Sequence, residues 1–171
     1  MAFLVETGTG ITDANSYISV EEADNYFTDI NPQEIWFTKN TQQRERVLMN
    51  GTQFIDNQYS YIGTKASETQ GLQWPREDAI DNNGYEVTGV PKNIKQATCE
   101  AALRAFDSTL YTDTDTNGAT KLTKVDVIEV EYFEGTTSTN PYTIIDQLLF
   151  GAGLAIGNTG SIRGTLKNIR V

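Results

Sequence analysis

Several groups of residues in this chain have types and spacings that could do chemistry. The run Asp113-Thr-Asp115-Thr-Asn117-Gly118 matches the first, third, fifth and sixth positions of a calcium-binding EF-hand loop. The closing position, where a bidentate glutamate belongs, holds Lys124, so the run reads as a polar linker. Thr7-Gly8-Thr9-Gly10 is rich enough in glycine to cradle a phosphate, but no strand precedes it and no lysine follows, so it reads as a turn. Pairs of acids such as Glu21/Glu22 and Glu129/Glu131 could in principle run glycosidase-type acid–base hydrolysis of a cell-wall glycan. That mechanism needs two carboxyls about 5–10 Å apart, and these pairs read instead as a helix cap and a solvated strand face. Cys99 has no base partner and reads as a packed, inert thiol. The sequence has no histidine, which excludes His-based triads and His metal ligands. Trp36, Trp74, Tyr59 and Tyr61 could stack on unpaired bases, but only Lys65 and Arg76 lie near the last three, so core aromatics are expected. No catalytic residue, cofactor or metal site is expected.

Charge narrows the function classes further. The chain of 171 residues carries 23 acids against 13 bases, a net charge of −10. Proteins that grip phosphates usually have the opposite sign, because Lys and Arg displace counterions there. Residues 1–38 hold Glu6, Asp13, Glu21, Glu22, Asp24, Asp29 and Glu34 and no base, whereas the last eleven residues hold Arg163, Lys167 and Arg170 and no acidic side chain. That asymmetry suits head-to-tail association or docking of a basic tail on an acidic partner, and equally suits two solvated ends of opposite sign. A single cysteine leaves no internal disulfide. The start, Met-Ala-Phe-Leu-Val-Glu, lacks the pattern of a signal peptide, and the apolar run Leu148–Ile156 is short and broken by Gly151 and Gly153. A soluble protein made in the cytosol is the expectation.

The elements that must position these residues follow from periodicity. Ser19 with Glu22 forms a capping box that opens a helix over about 19–29, with Val20, Ala23, Tyr26 and Phe27 on its apolar face; Asn31-Pro32 ends it. A second helix spans about 41–57, where Val47, Leu48, Gly51, Phe54 and Ile55 share a face and Gly51 permits a close helix–helix approach. Residues 59–90 carry scattered glycines and read as a long structured loop with a turn at Asn83-Gly84. Pro91 opens a third helix over about 91–110, with Ile94, Ala97, Thr98, Ala101, Ala102, Ala105 and Phe106 at helical spacing. Residues 112–120 read as a linker, Val125–Phe133 as a strand, Gly135–Asn140 as a second linker, and Pro141–Phe150 as a last helix with Ile144, Ile145, Leu148 and Leu149 on its face. From Gly151 onward the chain is Gly/Asn/Ser-rich and is expected to settle only on a partner.

One combination of blocks carries a resemblance. Glu6-Thr-Gly-Thr-Gly-Ile-Thr-Asp-Ala-Asn-Ser-Tyr17-Ile-Ser-Val-Glu-Glu-Ala-Asp24 with Tyr26-Phe27 is followed by Tyr61-x-Gly63, by Thr69-Gln70-Gly-Leu-Gln-Trp74-Pro75-Arg76, and by Val90-Pro91 before an alanine-rich helix containing Cys99-Glu100. Over about residues 4–110, and loosely into Val127–Gly135, the chain resembles the head-to-tail adaptors (tail accessory or head-completion factors) of tailed bacteriophages. The same pattern is often labelled a DnaT-like single-stranded-DNA-binding protein.

The resemblance implies a helical protomer of a dodecameric ring beneath the portal protein. Such a ring extends the DNA channel and offers a platform to a tail or nozzle protein. It also implies passage of DNA without sequence-specific binding, no membrane, and a place at the head–tail junction of the virion after assembly in the host cytoplasm. The expected fold is mainly α: a small helical bundle over residues 1–111, then over 112–171 a linker, a β excursion (strand or hairpin) and an extended C-terminal portal-docking arm. Arg163, Lys167, Ile169 and Arg170 are the expected portal contacts. Trp74, Pro75 and Arg76 are read first as a structural loop anchor and second as an inter-protomer contact. The alternatives are a DnaT-like single-stranded-DNA-binding protein and a carboxylate-dependent cell-wall hydrolase.

Overall fold

A computed structural model describes residues 2–107, 110–111 and 142–158. Helix α1 spans Val20–Asp29 and begins at the expected capping box: the Ser19 side chain accepts from the Glu22 amide, and the Glu22 carboxylate accepts from the Ser19 amide. After Asn31-Pro32 a single turn, α2 (Glu34–Phe37), inserts Trp36 into the core. Periodicity cannot report a helix of four residues, and the sequence reading passed over it. Helix α3 (Thr41–Gln58) opens on another reciprocal box, Asn40 with Gln43. Helix α4 covers Lys92–Arg104 behind Pro91.

The chain leaves α4 several residues before the expected end at 110. Beyond Ala105, Phe106 turns onto Trp36, with ring centroids 5.8 Å apart, and Tyr111 packs on Phe54 at 5.7 Å. Those contacts need a turn in place of a continuing helix.

Residues 59–90 contain β1 (Tyr59–Tyr61), β2 (Thr64–Lys65) and β3 (Arg76–Glu77), with β2 and β3 antiparallel. The turn expected at Asn83-Gly84 is present: the Gly84 amide donates to the Asp81 carbonyl at 3.0 Å, and Ile80 bridges Glu86. Helix α5 spans Thr143–Gly151, close to the expected range, and of the expected face Ile145 and Leu149 are buried while Ile144 is exposed. Strand β4 (Ala155–Asn158) then pairs antiparallel with β1, with a bulge at Ser60/Tyr61.

This last segment corrects two expectations. Residues 151–158 settle on their own chain, because Gly153 at φ +71° makes the turn that brings β4 back to β1. A core limited to residues 1–111 is too short, since Ile145, Leu149 and Leu154 are buried in the main cluster with Phe54, Tyr59 and Ile94. The expected strand Val125–Phe133, both linkers and the arm beyond Asn158 lie outside the described residues.

The packing centres on α4. Residues 97–102 are buried, with Ala97 and Ala101 in the main cluster and Cys99 and Ala102 in a second one with Phe27, Trp36 and Leu48. Small residues on α4 let α3 approach until a Cβ added at Gly51 would sit 2.8 Å from the Thr98 carbonyl oxygen. Glycine there is a packing requirement. The fold is thus mainly helical with small two-stranded sheets, and no described helix is long and apolar enough to cross a membrane.

Candidate functional site

The densest polar structure lies where the entry segment 2–18 meets α3 and the 59–90 region. Glu6 is 1% exposed, and its carboxylate is surrounded by main-chain amides. Gly8, Thr9 and Gly10 donate to Oε1 at 2.8, 2.9 and 3.0 Å, and Ile11 donates to Oε2 at 2.7 Å. Gly8 at φ +97° and Gly10 at φ +77° supply the conformations that turn successive amides inward. The Thr7–Gly10 run is therefore an anion cradle in geometry, but its anion belongs to the same chain. The sequence context favours a turn over a phosphate cradle there; the structure adds that a carboxylate already fills the donors.

A second junction joins three segments through Asp56 on α3. The Tyr17 hydroxyl donates to Asp56 Oδ1 at 2.5 Å, the Gln73 amide donates to Oδ2 at 3.0 Å, and the Trp74 amide donates to the Tyr17 oxygen at 3.1 Å. Burial pushes the Asp56 carboxyl up to about 6; the bonds from Tyr17 and Gln73 and the charges of Lys65 and Arg76 oppose that rise. The Tyr17 hydroxyl is pushed well above its usual range, first by burial and then by the Asp56 charge.

Beside this junction, Trp74 is fully buried and its bond to Pro75 is cis. Arg76 spends its guanidinium on the carbonyls of Ile62 (2.6 Å), Gly63 (2.8 Å) and Gln73 (3.1 Å) and on the Gln73 side chain. The structure thus places Trp74, Pro75 and Arg76 at one loop crossing. The portal-contact candidates Arg163, Lys167, Ile169 and Arg170 lie outside the described residues, as does the Asp113–Gly118 run.

The base-stacking candidates are not available for stacking, since Trp36, Trp74, Tyr59 and Tyr61 are all buried. Exposed aromatics occur elsewhere: Tyr85 is 73% exposed, and Phe37, Tyr111 and Phe150 are partly so. Arg44 covers one side of Phe37.

Among the described residues, several cations are engaged inside the chain. Arg44 pairs with Asp24, Lys95 with Glu22, and Arg104 with Glu100, which also accepts from Tyr26 and Asn31. Cys99 is fully buried, and burial drives its thiol far above the usual range, which leaves it unreactive. No group of acids and Cys99 is placed to hold a metal among the described residues.

A family model described as "Putative DnaT-like ssDNA binding protein" matches residues 1–169. The chain belongs to that family. No curated protein and no solved structure matches it. In this DnaT-like family member, sequence reading missed the roles of Glu6, Tyr17 and Asp56. A glutamate just ahead of two glycines is a usable sign of an internally filled amide cradle. Nothing in the sequence pairs Tyr17 with Asp56, because their contact spans thirty-nine positions.

Proposed function

We propose that the chain is a structural head-to-tail adaptor of a tailed phage. Copies of it form a ring under the portal, extend the DNA channel and offer the tail a platform. It works by binding geometry and has no catalytic residues. The reading rests on the blocks around Glu6–Phe27, Thr69–Arg76 and Val90–Glu100.

The observation that carries it against simple DNA binding is the disposition of charge. Arg44, Lys95 and Arg104 are held in ion pairs, and Arg76 is held by carbonyls. Arg46, Lys65 and Lys92 are exposed on three different segments, whereas Asp13, Glu21, Asp29 and Glu34 face solvent. A groove that tracks a phosphate backbone needs several cations in a row, and the exposed acids outnumber the exposed cations on these segments. Such a balance suits a channel through which DNA must slide. The basic tail, with Arg163, Lys167, Ile169 and Arg170, is the proposed portal contact, and Trp74, Pro75 and Arg76 are read as a structural loop anchor.

Particle mass by light scattering, for the protein alone and mixed with its portal ring, tests this reading. A closed portal-plus-ring mass is expected. A protein that stays monomeric in both samples overturns it. The second reading is single-stranded-DNA binding, favoured by the description of the matching family. It requires an oligonucleotide affinity that falls steeply with salt, read by fluorescence anisotropy. An unmeasurable affinity at low salt removes that reading.

A further inference from the structure

The chain contains three Asn-Gly pairs, Asn50-Gly51, Asn83-Gly84 and Asn117-Gly118, the last outside the described residues. Asparagine before glycine is chemically special because no side chain shields the following amide nitrogen. That nitrogen can attack the asparagine carboxamide if the backbone allows the approach. Both Asn50 and Asn83 are exposed, so solvent access does not distinguish them. Their backbones do.

Asn50 lies within α3, where helical geometry holds the side chain away from the Gly51 nitrogen and the ladder occupies that amide. Gly51 is also clamped against Thr98 and Ala102 of α4. Asn83 sits in an exposed turn. Gly84 has φ +83°, and a Cβ built on it would meet nothing within 4 Å. The Gly84 amide donates to the Asp81 carbonyl at 3.0 Å and also faces the Asp81 carboxylate, both local restraints within the turn that its opening releases.

We propose that Asn83 is a site of spontaneous deamidation in the folded protein, while Asn50 is protected by its helix. The Gly84 nitrogen attacks Cγ of Asn83 and gives up its proton to solvent base. The Cγ–Nδ2 bond breaks, and ammonia leaves with a proton from solvent. The resulting five-membered succinimide takes up one water at either carbonyl. Opening at Cγ gives aspartate; opening at the main-chain carbonyl gives isoaspartate. The net change is one water consumed and one ammonia released, with no oxidant, reductant or enzyme.

The consequence is local and directional. Asp81 Oδ1 accepts from the amides of Asn83 at 2.8 Å and Tyr85 at 2.9 Å, and Asn82 donates to the Gly151 carbonyl at 3.3 Å. Isoaspartate lengthens the main chain inside that turn and sets a new negative charge beside Asp81. The Ile80–Glu86 bridge and the hold of Asn82 on the α5–β4 corner both loosen. The exposed Ile80 and Tyr85 flank the modified residue, so aged and fresh protein differ on this surface.

The full chain is incubated folded in mildly alkaline buffer and, in parallel, unfolded in urea, then digested and mapped by mass spectrometry with labelling of isoaspartate. Conversion at Asn83 in the folded sample is expected, with Asn50 converting about a hundredfold more slowly or less, since its reaction requires opening a core helix. In urea the two positions converge. Asn83→Gln, on an exposed turn, keeps the fold and abolishes the product at that position. An intact Asn83 in the folded chain, over a time in which the urea sample converts it, overturns the proposal. Equal conversion at Asn50 and Asn83 in the folded chain does so too.

Discussion

Replacing Glu6 with alanine removes the carboxylate around which the Thr7–Ile11 loop is wound. Four amide donors at 2.7–3.0 Å lose their acceptor at once. A hydrogen bond to a charged group contributes about 1.5–3 kcal/mol when taken singly. The four share one carboxylate and the loop borders solvent, so they do not add, and a loss of about 3 kcal/mol is expected. For a chain of this size that is about 6–12 °C in Tm. Glu6→Gln keeps an oxygen at Oε1 but turns an NH2 toward the Ile11 amide, and about 1–2 kcal/mol is expected. Urea unfolding followed by fluorescence of the buried Trp36 and Trp74 gives the midpoints. Acetate should raise the midpoint of Glu6→Ala and leave the parent unmoved, because it restores the missing carboxylate to a formed cradle. An alanine variant within about 0.5 kcal/mol of the parent, with no response to acetate, would refute the internal-anion account.

Three further outcomes follow from the packing and the titrating groups. Gly51→Ala should gain up to about 1 kcal/mol of helix propensity but lose more to overpacking on Thr98 and Ala102, a net loss of about 1–2 kcal/mol by thermal unfolding; a stabilised variant would mean that α3 and α4 separate easily. Asp56 has a folded pKa of about 6, raised from 3.8 by burial, so its favourable contribution is complete below about 4 and is lost as pH rises through 6. Allowing for its partial exposure, the loss is about 2 kcal/mol, and Asp56→Asn should flatten the urea midpoint between those pH values; an unchanged pH slope in the variant sinks the assignment. Arg76→Lys cannot reach the Ile62, Gly63 and Gln73 carbonyls together, and a cost of about 1–2 kcal/mol with faster proteolysis within residues 63–77 is expected. Unaltered cleavage there would show that the loop is held by Trp74 and Pro75 alone.

Much of the helical scaffold was legible because it is written in short-range terms. Ser19 with Glu22 fixed the start of α1, and the stripe Val47, Leu48, Gly51, Phe54 and Ile55 fixed both the extent and the buried face of α3. Asn40 with Gln43 is the same kind of short-range signal, at the start of α3. Pro141–Phe150 was readable as a helix, but not that its Ile145 and Leu149 complete the main core, since that depends on where the chain re-enters after residue 141. Family membership was likewise readable in the N-terminal blocks, and the model match over residues 1–169 bears out the DnaT-like label.

Residue types and spacing by themselves determined the four longer helices and the cap of α1, the glycine needed between α3 and α4, the lack of histidine chemistry and the acidic balance. These depend on neighbours within a turn or on composition, and neither requires knowledge of distant partners. Only the tertiary structure decided that Glu6 fills the glycine cradle, that Asp56 receives Tyr17 and Gln73, that β4 returns to β1, and that Arg44, Arg76, Lys95 and Arg104 are engaged by partners in their own chain. Apart from the local closure of Glu6, each joins segments brought together by the fold or, as for Arg104, depends on the burial of its partner. Whether a charge is free to meet a ligand is settled by the burial and the partners that packing gives it, and the linear order of residues contains neither.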